Sequence, residues 1–118
     1  MEFLIIIGEN ESRPILVPGA PGFDEYMAEW TAYNSRLVEG GHWIDGGRLR
    51  PTTTARTIRR TTAGDTVVDG PFAETKEQFG GYYLVAAADL DEALALAAGM
   101  PLTEAAIEVR EVAFRARP

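Results

Sequence analysis

The five residues Phe3-Leu4-Ile5-Ile6-Ile7, ended by Gly8, constrain the fold more than any other stretch of the chain. A short apolar run rich in β-branched isoleucine fits a strand, and unbroken apolarity marks a central strand covered on both faces. Tyr82-Tyr83-Leu84-Val85-Ala86-Ala87 is a second run of this kind. A chain of 118 residues has room for one core around such strands, burying roughly two thirds of its unfolded surface, so residues 1–118 are expected to form a single domain. At 46% hydrophobic and 25% charged, the composition is that of a folded chain and not a disordered one.

The intervening sequence supplies the other elements. Glu9 to Gly22 contains three prolines and two glycines and reads as a loop. From Phe23 to Val38 the residues Phe23, Met27, Trp30, Tyr33 or Asn34, and Leu37 recur at helical steps, with Asp24 and Glu25 in the first turn and Gly40-Gly41 as the stop. His42–Leu49 and Ala55–Thr62 read as strands, the second mostly polar and therefore part of a hairpin at an edge or facing solvent. Gly64-Asp65 turns into a short strand, Thr66–Asp69. Asp89, with Glu92 three residues on, has the spacing of a capping box for a second helix whose stripe is Leu90, Ala93, Leu94 and Ala97. Gly99 and Pro101 end that helix, and Ala106–Arg115 alternates as a last strand.

Two helices separated by hairpin strands predict an α+β fold, the ferredoxin-like βαββαβ arrangement with an antiparallel sheet and both helices on one face. Large contiguous apolar patches are rare on monomers, so the other face needs a cover. Two such faces packed together give a homodimer, a dimeric α+β barrel.

Charge and residue usage exclude several classes of function. Eleven basic against eighteen acidic residues leave a net charge of −7, which repels phosphate backbones. The arginines at 48, 50, 56, 59 and 60 lie in strand-like sequence and read as a solvated sheet face, so no nucleic-acid partner is expected. Without cysteine there is no disulfide, thiolate metal site or cysteine nucleophile, and one histidine does not make a metal site. The N-terminal apolar run is too short for a membrane span and no basic segment precedes it, so no membrane partner and a cytoplasmic setting are expected. Nucleotide-binding glycine loops and a G-x-S-x-G elbow are absent, and no cofactor is expected.

The most informative segment is Asp69-Gly70-Pro71-Phe72-Ala73-Glu74-Thr75-Lys76-Glu77-Gln78. Gly70-Pro71 dictates a turn, Asp69 ends a strand and can accept backbone N–H bonds from it, and Phe72 is placed as an anchor into the core. With the following Gly80-Gly81-Tyr82-Tyr83-Leu84, the acidic Asp89-Leu90-Asp91-Glu92-Ala93 and the final Ile107-Glu108-Val109-Arg110, this string resembles the YCII-related family, specifically its DGPF branch. The likeness runs along nearly the whole chain. It implies a ferredoxin-like dimeric α+β barrel, similar in fold to muconolactone isomerases, a dehydrochlorinase and small cofactor-free oxygenases. Relatives often accompany extracytoplasmic-function sigma factors, which implies a regulatory role as an alternative. Some relatives are thought to use a His–Asp pair with the histidine early in the first helix. That helix has no histidine here, so His42 does not inherit the role.

Two polar groups stand out as catalytic candidates. His42, the only histidine, titrates near neutrality and suits acid/base work. Asp45 can orient it only if the strand bulges, because position i+3 on a regular strand points to the opposite face. Asp69 is a carboxylate expected at the barrel mouth. Phe72, Glu74, Lys76, Tyr82 and Tyr83 are the ligand-binding candidates, and one of the two tyrosines must face the helices while the other faces the dimer side. A surface ion pair between Glu74 and Lys76 is worth only ~0–1 kcal/mol, too little to account for so charged a segment, which points to ligand contact or a bridge between subunits. The expected function is binding or transforming a small organic molecule in a pocket between sheet and helices; the alternative is a non-catalytic regulatory or interaction module.

Overall fold

The computed structural model describes residues 1–118 and has the order β1 (Glu2–Glu9), α1 (Phe23–Glu39), β2 (Trp43–Arg48), a 3-10 turn (Thr52–Thr54), β3 (Arg56–Thr61), β4 (Gly64–Asp69), β5 (Gln78–Ala86), α2 (Leu90–Ala98) and β6 (Ala106–Glu111). Strands β2, β5, β1 and β6 form one antiparallel sheet in that order, and β3 and β4 form a separate hairpin. The four-stranded sheet with two helices is the expected ferredoxin-like α+β fold. The hairpin composition differs from expectation. The first of the two strand-like runs, now β2, pairs with β5 at the sheet edge, and β3 turns back on β4. Alternation assigns side chains to faces but does not choose a strand's partner.

Register across β1 sorts the side chains into two sets. Phe3 faces Val85, Ile5 faces Tyr83 and Ile7 faces Gly81 on the helix side. These residues join Tyr33 and Leu37 of α1, Ala93 and Ala97 of α2, and Met100 in one buried core. Leu4 opposite Leu84 and Ile6 opposite Tyr82 stand on the other face, half-buried and outside that core. So β1 is central as its run of isoleucines requires, but within one chain it is fully covered on one face only. Across β6 the open face continues into Arg110 and Glu108, which are ion-paired with each other.

The helices follow the local signals with one exception. Asp89 accepts the Glu92 N–H at 2.8 Å, and the Glu92 carboxylate accepts the Ala88 N–H at 2.9 Å, which satisfies two donors that the helix start leaves unpaired. The exception is the apolar stripes: in α1 Met27 is 44% exposed, and in α2 Ala93 and Ala97 are buried whereas Leu90 and Leu94 remain about half exposed. Helix α1 closes in a Schellman motif, with His42 N–H donating to Leu37 O at 2.8 Å and Gly41 N–H to Val38 O at 3.1 Å around a left-handed Gly41 (φ 75°). That turn delivers the chain directly into β2.

The two helix-ending glycines therefore differ in what they tolerate. Gly41 is left-handed with open space around it, while Gly99 has ordinary right-handed geometry (φ −81°). Gly41→Ala should cost about 1–2 kcal/mol through backbone strain alone, and Gly99→Ala should be neutral or slightly stabilising. Urea unfolding of both variants checks this, and equal costs would contradict the assigned backbone conformations.

Candidate functional site

The space between sheet and helices, where a pocket was expected, is occupied by aromatic side chains. Trp30 and Tyr33 of α1, Trp43 of β2 and Tyr83 of β5 stack edge-on or tilted with ring centroids 5.7–6.1 Å apart. The Tyr33 hydroxyl donates to Leu96 O at 2.7 Å, and the Tyr83 hydroxyl donates to Asn34 Oδ1. Each buried hydroxyl thus has a partner, so Tyr33 and Tyr83 join both helices to the sheet as packed core, with Trp43 at its rim, 39% exposed. Tyr82 lies on the open face with its ring over Gly47, so the two neighbouring tyrosines do face opposite ways.

A concave polar site lies instead at one end of the sheet. A groove of about 340 Å³ runs between the loop after β1, the 3-10 turn and the loop before β5. Apart from Pro71 every wall residue is polar, and the charged ones are Glu11, Glu74 and Lys76. Glu11 is engaged: its carboxylate accepts the Thr52 N–H at 3.0 Å and also the Thr52 hydroxyl. Glu74 and Lys76 make no hydrogen bond or ion pair within the chain, although Thr75 and Gln78 beside them are tied back to the loop through Glu77 O and Thr75 O. The groove thus presents one free carboxylate and one free ammonium on a loop held by its neighbours. Lys76 is the chain's single lysine. A larger concavity of about 560 Å³ lies against the last residues; Glu2 and Arg115 in its wall are closed on each other at 2.9 Å, while Glu111 and Arg117 there make no ion pair.

Gly70, left-handed at φ 93°, makes the turn that leads into this loop, and its N–H donates to Ala55 O at 2.9 Å, closing the base of the β3–β4 hairpin. Asp69 accepts no backbone N–H from the turn. It pairs with Arg56 at 3.0 Å across the hairpin, with its side chain 88% exposed. Phe72, expected in the core, is 75% exposed; its carbonyl accepts from Arg59 at 2.6 Å, which holds its backbone outside the core.

His42 lies at the other end of the sheet. Gln78, at the groove, and Ala86, beside His42, are eight residues apart on β5, about 26 Å at strand rise. Within one chain His42 and the 69–78 segment cannot share a substrate. His42 Nδ1 donates to Ala86 O at 2.8 Å, which leaves Nε2 as the acceptor of the neutral ring, and the Glu92 carboxylate lies 3.9 Å away. The bulge that Asp45 requires is present, between Trp43 and Asp45. Asp45 nevertheless turns to its neighbour, accepting the Gly46 N–H at 2.8 Å. Glu92 is therefore the acidic neighbour of His42. Sequence spacing did not reveal it because Glu92 arrives from a helix fifty residues later.

A YCII-related domain model matches residues 1–114. An uncharacterised protein of Rhizobium meliloti (strain 1021) is 46% identical over 71 residues, a match covering 60% of this chain and 57% of that protein, little more than half of its length.

The aromatic core makes a prediction about alkaline pH. Burial, reinforced by the neighbouring Tyr83 and opposed by Arg36, pushes the Tyr33 hydroxyl up from 10.0 to about 12. Burial also raises Tyr83, opposed by its side-chain contact with Asn34. A raised folded-state value means that stability is full below pH 10 and is lost as pH climbs towards 12, because the unfolded chain ionises first. Tyrosinate absorbance should show a late step that disappears in Tyr33→Phe, and the urea midpoint should fall across the same window. A titration with no late step would contradict the buried hydroxyl.

Proposed function

We propose, from the premise that this chain belongs to the YCII-related family, that it binds a small polar organic molecule in the groove beside Glu74 and Lys76, without metal or nucleotide. One observation carries the reading: an unpaired carboxylate and an unpaired ammonium line one polar concavity, on a loop whose neighbouring residues are tied by hydrogen bonds. Such a pair suits a ligand with both an acidic and a hydrogen-bond-donating group, held by charge-assisted contacts. The Asp69–Gln78 string supports placement in the DGPF branch, with Asp69 shaping the loop base through Arg56. No helix of the chain is long and apolar enough to cross a membrane, and the proposal sets the protein in the cytoplasm as a homodimer whose open sheet faces meet. Support for that pairing comes from Leu4, Ile6, Tyr82 and Leu84, an apolar centre that no helix of the chain covers. The second reading, an interaction module, draws its support from the exposed hairpin.

The lone lysine makes the test selective. Reductive ¹³C-methylation labels Lys76 and the N-terminal amine, and the Lys76 signal then reports on titration with small hydroxy acids, amino acids and aromatic acids. A ligand should shift that signal and raise Tm, and Glu74→Gln and Lys76→Met should each weaken it about tenfold or more, whereas Asp69→Ala should keep most of the affinity. Binding that survives both groove variants, or a panel that leaves the Lys76 signal unmoved, would contradict the assignment.

A further inference from the structure

Internal hydrogen bonds decide what each polar side chain of the Glu74–Lys76 groove has left to offer a ligand. The Asn10 side chain accepts the Ser12 N–H at 3.0 Å, so the atom engaged is Oδ1 and Nδ2 is left over as a donor. The Gln78 side chain meets the Thr75 carbonyl at 3.0 Å, so the atom engaged is Nε2 and Oε1 is left over as an acceptor. The Ser12, Thr52 and Thr75 hydroxyl hydrogens are all spent, on Asn10 Oδ1, the Glu11 carboxylate and Glu77 O. Those hydroxyls offer lone pairs only. The side chains of the wall therefore keep two unspent donor groups, Lys76 Nζ and Asn10 Nδ2. Against them stand the Glu74 carboxylate, Gln78 Oε1 and the hydroxyl oxygens, a surplus of acceptors.

Charge narrows the ligand further. The wall holds two carboxylates, Glu11 and Glu74, against the single ammonium of Lys76, so it is net acidic. A dicarboxylate would bring two negative charges to a wall with one cation, and a diamine would bring its second ammonium towards Lys76. A hydroxy acid serves Lys76 but brings only one neutral O–H to the surplus acceptors. An amino acid brings a carboxylate for Lys76 and three charged N–H donors for the acceptor side. Pro71 is the one wall residue without a polar side chain, so an aliphatic or aromatic substituent would find almost nothing to bury against. The volume of about 340 Å³ lies at the small end for organic ligands.

Taking this groove as the binding site, as the proposed function does, we propose that its ligand is a small hydrophilic amino acid held as the zwitterion. The carboxylate pairs with Lys76 and the ammonium with Glu74. Asn10 Nδ2 and Gln78 Oε1 are the neutral donor and acceptor left to complete the contacts.

Calorimetric titration of the intact chain at neutral pH tests the class. The molecules are glycine, serine, threonine and glutamine, each beside its 2-hydroxy acid and its carboxamide, with succinate, putrescine, phenylalanine and phenyllactate. Glu74→Gln and Lys76→Met change exposed side chains without partners, so circular dichroism and the urea midpoint should not move. The tightest hydrophilic amino acid should lose about tenfold or more when either charged group is replaced, the worth of one charge-assisted hydrogen bond. Glu74→Gln should remove the preference for ammonium over hydroxyl, and Lys76→Met the preference for carboxylate over carboxamide. A hydroxy acid, succinate or putrescine that binds as tightly as the amino acids and is lost in the groove variants overturns the amino-acid class and leaves the groove standing. Phenylalanine binding there more tightly than serine overturns the hydrophilic class in the same way. Amino-acid binding indifferent to both variants, or a panel in which nothing binds, overturns the class and the groove together.

Discussion

The alternation of side chains on β1 and β5 is the constraint on which the rest depends. With β1 between β5 and β6, Phe3, Ile5, Ile7, Tyr83 and Val85 all point to the helices. Leu4, Ile6, Tyr82 and Leu84 must then point the other way. A one-residue slip would exchange the two sets and expose the core, so the register is strongly specified. The same division sends the aromatic residues of α1 and β2 into the sheet–helix interior and fills the space where a pocket was expected. Polar chemistry is thereby displaced to the ends of the strands, where loops from distant segments meet.

At one end the loop after β1, the 3-10 turn and the segment before β5 converge on a groove; at the other, His42 and Glu92 meet at the start of α2. The two constellations differ in character. Glu74 and Lys76 are unpaired and accessible, whereas His42 is bound to a backbone carbonyl and contributes to the join between α1, the sheet and α2. The backbone role explains His42 without a reaction, while the free charges of the groove have no structural task within one chain. For that reason the groove is the better candidate for function.

Much of the fold is legible in the sequence because its signals are local. The Phe3–Ile7 run, the Asp89–Glu92 cap and the Gly40-Gly41 stop each act within a few residues, and each appears where expected. Strand pairing is less local: the Gly64-Asp65 turn folds Arg56–Thr61 back on Gly64–Asp69, but nothing in Trp43–Arg48 says that it pairs with β5. Phe72 looks like a core anchor because aromatic residues beside a Gly-Pro turn often pack inward, but a carbonyl bond to Arg59 holds its backbone outside. Glu74 and Lys76 are visible as charges, yet their groove also requires Glu11 and Thr52, which lie 41 residues apart and are joined by hydrogen bonds no spacing rule predicts. Leu90 and Leu94 follow a helical stripe in sequence, but α2 rests on the sheet through its alanines.

The division of the sheet into a closed and an open side can be read directly by hydroxyl-radical footprinting with mass spectrometry over a dilution series of the unmodified protein. Tyr83 and Val85 should stay protected at every concentration, because the chain's own helices cover them. Tyr82 and Leu84 should be protected when the protein is concentrated and become reactive on dilution, as a second copy departs. Protection of all four residues that does not change down to the lone subunit would mean that the chain covers both faces itself, which contradicts the account.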